Sequence, residues 1–175
     1  VDVLPGPERT CLEVLGMPLD SSARPFDLDA DIGRFRACRP GFLDPAVFVR
    51  AFEAVAAATD ALRLVVATDE AGVPQQRVRE SAAVAVEVVD LAGRADAVAA
   101  CRQWVAERSQ RRFEPTDRLV DVALLRLSPG RHVWYLAQHH LVTDGWSMSV
   151  IYQRTAETYT RLVCGGEVGS PANRL

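Results

Sequence analysis

Residues 138–147 read Gln-His-His-Leu-Val-Thr-Asp-Gly-Trp-Ser, and the other elements of the chain can be placed around them. This stretch follows an apolar run, His132 to Ala137, that predicts a buried strand. It precedes Ser147 to Val163, where the spacing of apolar residues predicts an amphipathic helix. Two adjacent histidines, an aspartate and a glycine therefore lie at a strand-to-helix junction, where α/β proteins commonly place their chemistry.

The residue types at this junction suit proton transfer. An imidazole can take up a proton near neutral pH, and successive strand residues point to opposite faces, so His139 and His140 are not expected to share a cleft. If His140 faces outward, His139 turns inward as packing or support. Asp144 can bond to backbone or to an arginine, or raise the pKa of a nearby histidine. Gly145 permits a sharp turn, and Ser147 is expected to cap the last helix.

Composition limits the classes of function. The 175 residues fit one domain with its own core, and the net charge of −3, without a basic block interleaved with aromatics, argues against a nucleic-acid partner. No apolar run approaches the ~20 residues of a membrane span, and no signal peptide is evident. The scattered cysteines predict buried free thiols at Cys38 and Cys101 and a cytoplasmic location. The histidine pair and Asp144 lack a fourth ligand at suitable spacing, so no metal site is predicted.

The pattern along the chain predicts an alternation of helices and strands. Asp44-Pro45 is a typical helix start, and the helix is expected to end near Asp60. The remaining predicted elements are a helix-like segment at Glu8–Leu15, strands at Asp31–Ala37, Leu62–Ala67, Gln75–Arg79, Val84–Val88, Leu119–Leu127 and His132–Ala137, and a helix at Asp96–Arg108. This order predicts an α+β fold, with helices packed on one side of a mixed β-sheet.

A family resemblance rests on three segments. The histidine stretch resembles the HHxxxDG motif of condensation domains from nonribosomal peptide synthetases, within the superfamily of chloramphenicol acetyltransferase-like acyltransferases. Arg112–Glu114 resembles the family's RPFDL stretch, and Asp60–Arg63 resembles its HExLRTxF segment. The resemblance is strong from about Arg111 to Leu162. Ala58 and Thr59 stand where the family has an arginine and a histidine, and residues 4–11 match its first motif poorly.

The resemblance implies roles for seven residues. His140 would be the catalytic histidine that deprotonates or orients an acceptor amine as it attacks a donor thioester. Asp144 would be structural and bonded to an arginine, and Gly145 would lie near the reacting carbonyl. The other implied roles are support by His139, an architectural role for Arg63, and lining of the substrate tunnel by Trp146 and Ser147.

The resemblance also implies partners and a division of the chain. Residues 1–166 would form the N-terminal lobe of a chloramphenicol acetyltransferase-like fold, and residues 167–175 a tail or the start of a linker to a second lobe. Substrates would arrive on the phosphopantetheine arms of carrier proteins, with no cofactor bound by the domain itself. The tunnel of this family lies between two lobes, so the chain alone is expected to have little or no condensation activity.

Two other functions remain open from the sequence. A stand-alone acyltransferase of the same superfamily would use the same histidine on a free alcohol or amine. A non-catalytic module that docks carrier proteins would explain the poorly matched first motif, while the intact His140, Asp144 and Gly145 argue against it. The epimerising relatives tend to have serine before tryptophan after the Asp-Gly pair, whereas here Trp146 precedes Ser147. The heterocyclising relatives have aspartate in place of the first histidine, whereas here His139 is intact.

Overall fold

The computed structural model describes residues 43–80 and 84–167, together with the backbone of residues 8–13. The strands are β1 (Glu8–Glu13), β2 (Leu64–Thr68), β3 (Pro74–Val78), β4 (Val86–Asp90), β5 (Val120–Ser128) and β6 (Arg131–Gln138). The α-helices are α1 (Pro45–Ala58), α2 (Ala97–Ser109) and α3 (Gly145–Val163), and a short 3₁₀ helix spans Asp60–Arg63. The predicted strand at Asp31–Ala37 and the predicted buried thiol at Cys38 lie outside the described residues.

The main sheet is mixed, as predicted. Among the described residues its strand order is β1-β6-β5-β4. Strands β5 and β6 form the antiparallel hairpin expected from the turn at Ser128–Arg131, while β4 runs parallel to β5. Strands β2 and β3 make a separate antiparallel hairpin. This second hairpin is joined to the main body by a bond of 2.7 Å, in which the Val66 N–H donates to the carbonyl of Pro115.

The first face of the main sheet packs against α1 and α3. Trp134 of β6 is buried there, and its ring meets three other rings edge-on. The centroid distances from Trp134 are 5.1 Å to Phe48, 5.8 Å to Phe52 and 4.6 Å to Tyr152. Edge-to-face pairs of this kind add to the stabilisation that burial of aromatic area already gives. The core on this face therefore fixes α3, and with it the junction that carries the histidines.

The second face of the sheet is also buried, so the predicted packing of helices on one side is wrong. Cys101 of α2 is buried and forms no disulfide, and it lies in a cluster with Leu125, Val133 and Tyr135. Successive residues of β5 and β6 point to opposite faces of the sheet, and both faces are apolar. Each face must therefore be covered to exclude water. Helix α2 covers the face that α1 and α3 leave open, while the α+β composition is confirmed.

Caps define the ends of the helices. Asp44 caps α1, as predicted, by accepting a bond of 2.9 Å from the Ala46 N–H. The Asp44 N–H itself donates to the Tyr159 hydroxyl at 2.9 Å, which links the start of α1 to α3. Gly165 follows α3 with a φ of 81°, a left-handed conformation that glycine adopts without steric cost.

Two elements differ most from the sequence prediction, while the bounds of the other described elements shift by one or two residues. Residues Glu8–Glu13 form strand β1 rather than the predicted helix, because they pair antiparallel with β6 from Glu8 opposite Gln138 to Glu13 opposite Val133. Pairing with a buried strand overrides a weak local helical pattern. The strand predicted at Leu62–Ala67 begins at Leu64, after the 3₁₀ turn. None of the described helices combines the length and apolar character that a membrane crossing requires.

Candidate active site

The paired histidines lie in a β-turn, which we call the histidine turn (residues 139–142). Strand β6 ends at Gln138, and the Val142 N–H then donates to the carbonyl of His139 at 3.0 Å. His140 and Leu141 are the two central residues of this turn. Helix α3 begins three residues after Val142, so the turn joins a central strand directly to a core helix.

His139 is the buried member of the pair, with a side chain 8% exposed. Its N–H donates to the carbonyl of Leu119 at 2.9 Å, and its Nδ1 accepts from the Leu141 N–H at 3.1 Å. The Phe113 ring lies edge-on to the imidazole at 6.2 Å. Burial, and secondly the proximity of His140, hold the pKa of His139 below its usual value. His139 is therefore neutral at pH 7, with its proton on Nε2.

His140 is exposed, so the two imidazoles lie in different environments, as the sequence predicts. The physical reason differs from the prediction, because the separation comes from the turn after β6 rather than from strand alternation. An exposed imidazole in a short turn, next to a rigidly held neighbour, can reach a substrate that approaches from solvent.

Asp144 caps α3, which corrects the prediction that Ser147 is the cap. The Asp144 carboxylate accepts from the Ser147 N–H at 2.8 Å and from the Ser147 hydroxyl at 2.6 Å. Aspartate is the better cap here because its oxygens satisfy a free N–H of the first turn and carry the charge that a helix N-terminus favours. The Ser147 hydroxyl bond is the main cause that holds the pKa of Asp144 below its usual value. Among the described residues the partner of Asp144 is Ser147, while the arginine implied by the resemblance would come from the second lobe.

An apolar edge surrounds the start of α3. Gly145 is the first residue of the helix, and Trp146, which follows it, is 80% exposed. Leu141 in the histidine turn is 37% exposed. A large exposed aromatic beside a candidate catalytic turn is typical of a surface that another group covers.

Arg63 lies at the start of the β2–β3 hairpin and holds it in place. Its guanidinium donates to the carbonyl of Arg79 at 2.6 Å and to the Asp60 carboxylate at 2.5 Å. The Arg79 N–H returns a bond of 3.1 Å to the carbonyl of Arg63. These contacts agree with an architectural role, and the structure shows no direct contact between Arg63 and the histidine turn in its described part.

Sequence reasoning missed the residues that hold His139. The sequence places Phe113 in the segment that resembles RPFDL and Leu119 at the start of a strand, and neither was predicted to contact His139. The available signal was the single aromatic residue within the polar stretch 109–117, because an aromatic side chain in such a stretch usually packs against the core. Among the described residues, no group of three or more histidine, cysteine, aspartate and glutamate side chains is arranged to hold a metal ion.

Comparison with known proteins places this geometry in a family. The family model described as a condensation domain matches residues 37–174. A second family model, described as the outer membrane lipoprotein Slp family, matches residues 1–59, less than half of the chain, and supports no assignment. The isonitrile lipopeptide synthase of Streptomyces coeruleorubidus is 34% identical over 129 residues, which cover 73% of this chain and 9% of that synthase.

Solved structures give the same result. The first condensation domain of the calcium-dependent antibiotic synthetase, in complex with a substrate analogue, is 34% identical with a TM-score of 0.67, over 75% of this chain and 32% of that chain. The starter condensation domain of rhizomide synthetase is also 34% identical with a TM-score of 0.67, over 73% of this chain and 32% of that one. This chain therefore spans about a third of these solved chains and under a tenth of the synthase.

Proposed function

Since the chain belongs to the condensation-domain family, we propose that it supplies the catalytic histidine of an amide-bond-forming domain in a nonribosomal peptide synthetase. The observation that carries the proposal is the exposed His140 in a turn fixed by the buried His139. In the proposed reaction the acceptor amine attacks the carbonyl carbon of a donor thioester. The C–N bond forms, the C–S bond breaks, and the amine proton passes through His140 to the departing thiolate.

The neighbours of His140 have supporting roles in this proposal. His139 fixes the turn, and Asp144 with Ser147 fixes the start of α3 through the bonds of 2.6 and 2.8 Å. The backbone of Gly145 lies near the reacting carbonyl, at a helix N-terminus that favours the negative charge developing on the oxygen. Arg63 keeps the β2–β3 hairpin in place through its bonds to Arg79 and Asp60.

In this proposal a second lobe completes the active site and carrier proteins deliver the substrates. Trp146 and Leu141 form the exposed apolar edge, and we assign Trp146 and Ser147 to the wall of a tunnel closed by a second lobe. Residues 1–166 would be the first lobe, and 167–175 its tail or linker. Phosphopantetheine arms of carrier proteins would deliver both substrates, and the domain itself would bind no cofactor. The site would work in the cytoplasm, and the chain without a second lobe would have little activity.

The test is a condensation assay on the native polypeptide that contains this chain, with one acyl-loaded and one aminoacyl-loaded carrier protein. We expect His140→Ala to lower amide formation by about 10²–10⁴-fold, the usual contribution of a general base. His132→Ala, at a buried histidine of β6, is the matched control for loss of an imidazole, and circular dichroism checks both folds. Equal rates for wild type and His140→Ala would contradict the proposal.

Two further arms address the other functions left open by the sequence. Turnover of a small soluble amine or alcohol, with no carrier protein present, would favour a stand-alone acyltransferase. Carrier binding that is unaffected by His140→Ala, without activity in the native polypeptide, would favour a docking module.

A further inference from the structure

A cleft of about 250 Å³ opens beside the first residues of β5. Its floor is apolar and includes Leu62, Leu119 and Val120, all of which are buried. Its polar wall carries Arg63, Arg79, Asp117 and Arg118. We call this the arginine cleft. Since an apolar floor meets a cationic wall, the cleft suits a ligand that has a short aliphatic part and a negative end.

The charges around the arginine cleft do not balance. Arg79 pairs with Asp117 at 3.5 Å, and Arg63 pairs with Asp60 at 2.5 Å. Arg118 is exposed and makes no ion pair with the residues that the structure describes. One positive charge of the wall is therefore unmatched. A planar guanidinium binds a carboxylate through two parallel N–H bonds, which makes a carboxylate the natural partner.

A second observation points to a missing acceptor. The Nε of Arg63 is buried and has no hydrogen-bond partner among the described residues, although the other two nitrogens of this guanidinium are bonded. A buried donor without an acceptor is unfavourable, and native structures rarely leave one unexplained. An oxyanion in the cleft would supply the acceptor near Arg63 and the charge opposite Arg118.

The arginine cleft adjoins the histidine turn. Leu119 lies in its floor, and the carbonyl of the same residue accepts the 2.9 Å bond from the His139 N–H. Arg118 immediately precedes Leu119, so the cationic wall and the carbonyl that holds His139 belong to the same segment of the chain. A ligand here would be positioned relative to the candidate catalytic residue.

We infer that the arginine cleft is a specificity subsite for a carboxylate at the end of a short aliphatic side chain on one of the two condensing substrates. The inference rests on the proposed function. Arg118 provides the main contact and Arg63 the second. Inorganic phosphate would match the charge but would leave the apolar floor unused. A terminal amide of the same length fills the cleft without charge and is the matched neutral ligand.

The first experiment measures binding alone, with glutarate and its neutral counterpart glutaramide as probes, by isothermal titration calorimetry or NMR. We expect glutarate to bind at least about tenfold more tightly, as charge-assisted hydrogen bonds imply, and Arg118→Gln to abolish the difference. Arg77→Gln, at an exposed arginine of β3 outside the cleft, should keep it. Equal binding of the two probes, or an unchanged preference in Arg118→Gln, would overturn the inference.

The second experiment locates the carboxylate. Condensation by the native polypeptide is measured with glutamate against glutamine as the acceptor, and with a glutaryl against a glutaramoyl donor. A preference of about tenfold for the acidic member of one pair, lost in Arg118→Gln, assigns the cleft to that substrate. No acidic preference in either pair would overturn the inference even if glutarate binds. If no pair condenses at all, the proposed function fails instead, while glutarate binding reports separately on the cleft.

Discussion

The Leu141 N–H donates a hydrogen bond of 3.1 Å to Nδ1 of His139, so the buried histidine closes the turn that presents the exposed one. Nδ1 can accept this bond only while it carries no proton. The lowered pKa of His139, which burial causes first and His140 second, favours the same state. Protonation of His139 would remove the acceptor and leave the Leu141 N–H opposite a like charge. The position of His140 therefore depends on the neutral form of its neighbour.

Substitutions of His139 should distinguish the effect of its hydrogen-bond acceptor, Nδ1, from that of the rest of the imidazole ring. In His139→Asn the side-chain oxygen can take the place of Nδ1, whereas His139→Leu offers no acceptor. We expect His139→Leu to lose about 1 kcal/mol of stability, the usual net value of one hydrogen bond, and about tenfold in condensation rate. His139→Asn should retain most of both. Urea unfolding and condensation kinetics measure the two effects, and equal losses in both variants would contradict the role of Nδ1.

Stability should fall as the pH is lowered below about 6.5, the ordinary pKa of histidine. Burial lowers the pKa of His132, with Arg126 adding to the effect and Asp90 opposing it, and burial also lowers the pKa of His139. The unfolded chain then binds more protons than the folded one between the two pKa values. The stabilisation is complete above about pH 6.5 and is lost as the pH falls through the folded pKa values.

Urea unfolding at several pH values between 8 and 5 tests this expectation. His132→Phe should flatten the acid slope, because it removes one of the two buried groups that resist protonation. Asp69, Asp96 and Asp144 also have lowered pKa values, but their contribution is lost only near and below the ordinary aspartate value of 3.8. A stability that is constant from pH 7 to pH 5 would show that the buried histidines do not control it.

The sequence predicts the fold where local pattern and tertiary packing agree. Helix α1 has both an aspartate cap and an apolar face, and hairpin β5–β6 has apolar residues on both sides of a clear turn, so their prediction is confirmed. Strand β1 was predicted wrongly, because its conformation comes from pairing with β6, more than a hundred residues away. Helix α2 was placed on the wrong side because periodicity shows which residues are buried, not which face of a sheet buries them.

In the candidate site, too, features set by local sequence could be predicted and features set by tertiary packing could not. That His139 and His140 do not share a cleft could be predicted from their adjacency at the end of a strand, although the turn after β6 is what separates them. The contacts of His139 with Phe113 and with the Leu119 carbonyl could not, because they join segments 20 or more residues apart whose meeting depends on the sheet register. The cap at Asp144 was missed by three positions, since both Asp144 and Ser147 are good caps and only the geometry of the turn decides between them.

The Asp144 cap gives a prediction for the start of α3. Asp144→Ala removes both bonds to Ser147 and should lower the midpoint of thermal unfolding by about 2–4 °C, whereas Asp144→Asn should lower it less, because an amide oxygen still accepts from the Ser147 N–H. Ser147→Ala removes only the hydroxyl bond and is the matched control. Calorimetry at pH 7 measures the midpoints. If Asp144→Asn were as unstable as Asp144→Ala, charge rather than hydrogen bonding would dominate at this cap.

The ion pair between Arg108 and Asp121 should contribute strongly to the second face of the sheet. The two side chains are about 9% and 10% exposed and form two parallel bonds of 2.6 and 2.7 Å, while Arg108 also contacts Glu87 at 2.9 Å and stacks over Trp104. Bonding to Asp121 raises the pKa of Arg108, so this guanidinium stays charged. Removal of one partner leaves a largely buried charge uncompensated.

We therefore expect Asp121→Ala to lower the free energy of unfolding by about 3 kcal/mol, the lower end of the range for buried pairs because some exposure and Glu87 remain. The double variant Asp121→Leu with Arg108→Met should recover much of this loss, because apolar side chains of similar volume replace a buried pair with little cost. Arg94→Met, which breaks the exposed pair with Asp96, is the matched control and should leave the free energy of unfolding nearly unchanged, because solvent screens an exposed pair. Urea unfolding of the four proteins measures these values. A double variant as unstable as Asp121→Ala would mean that α2 depends on the orientation of this pair and not merely on its neutrality.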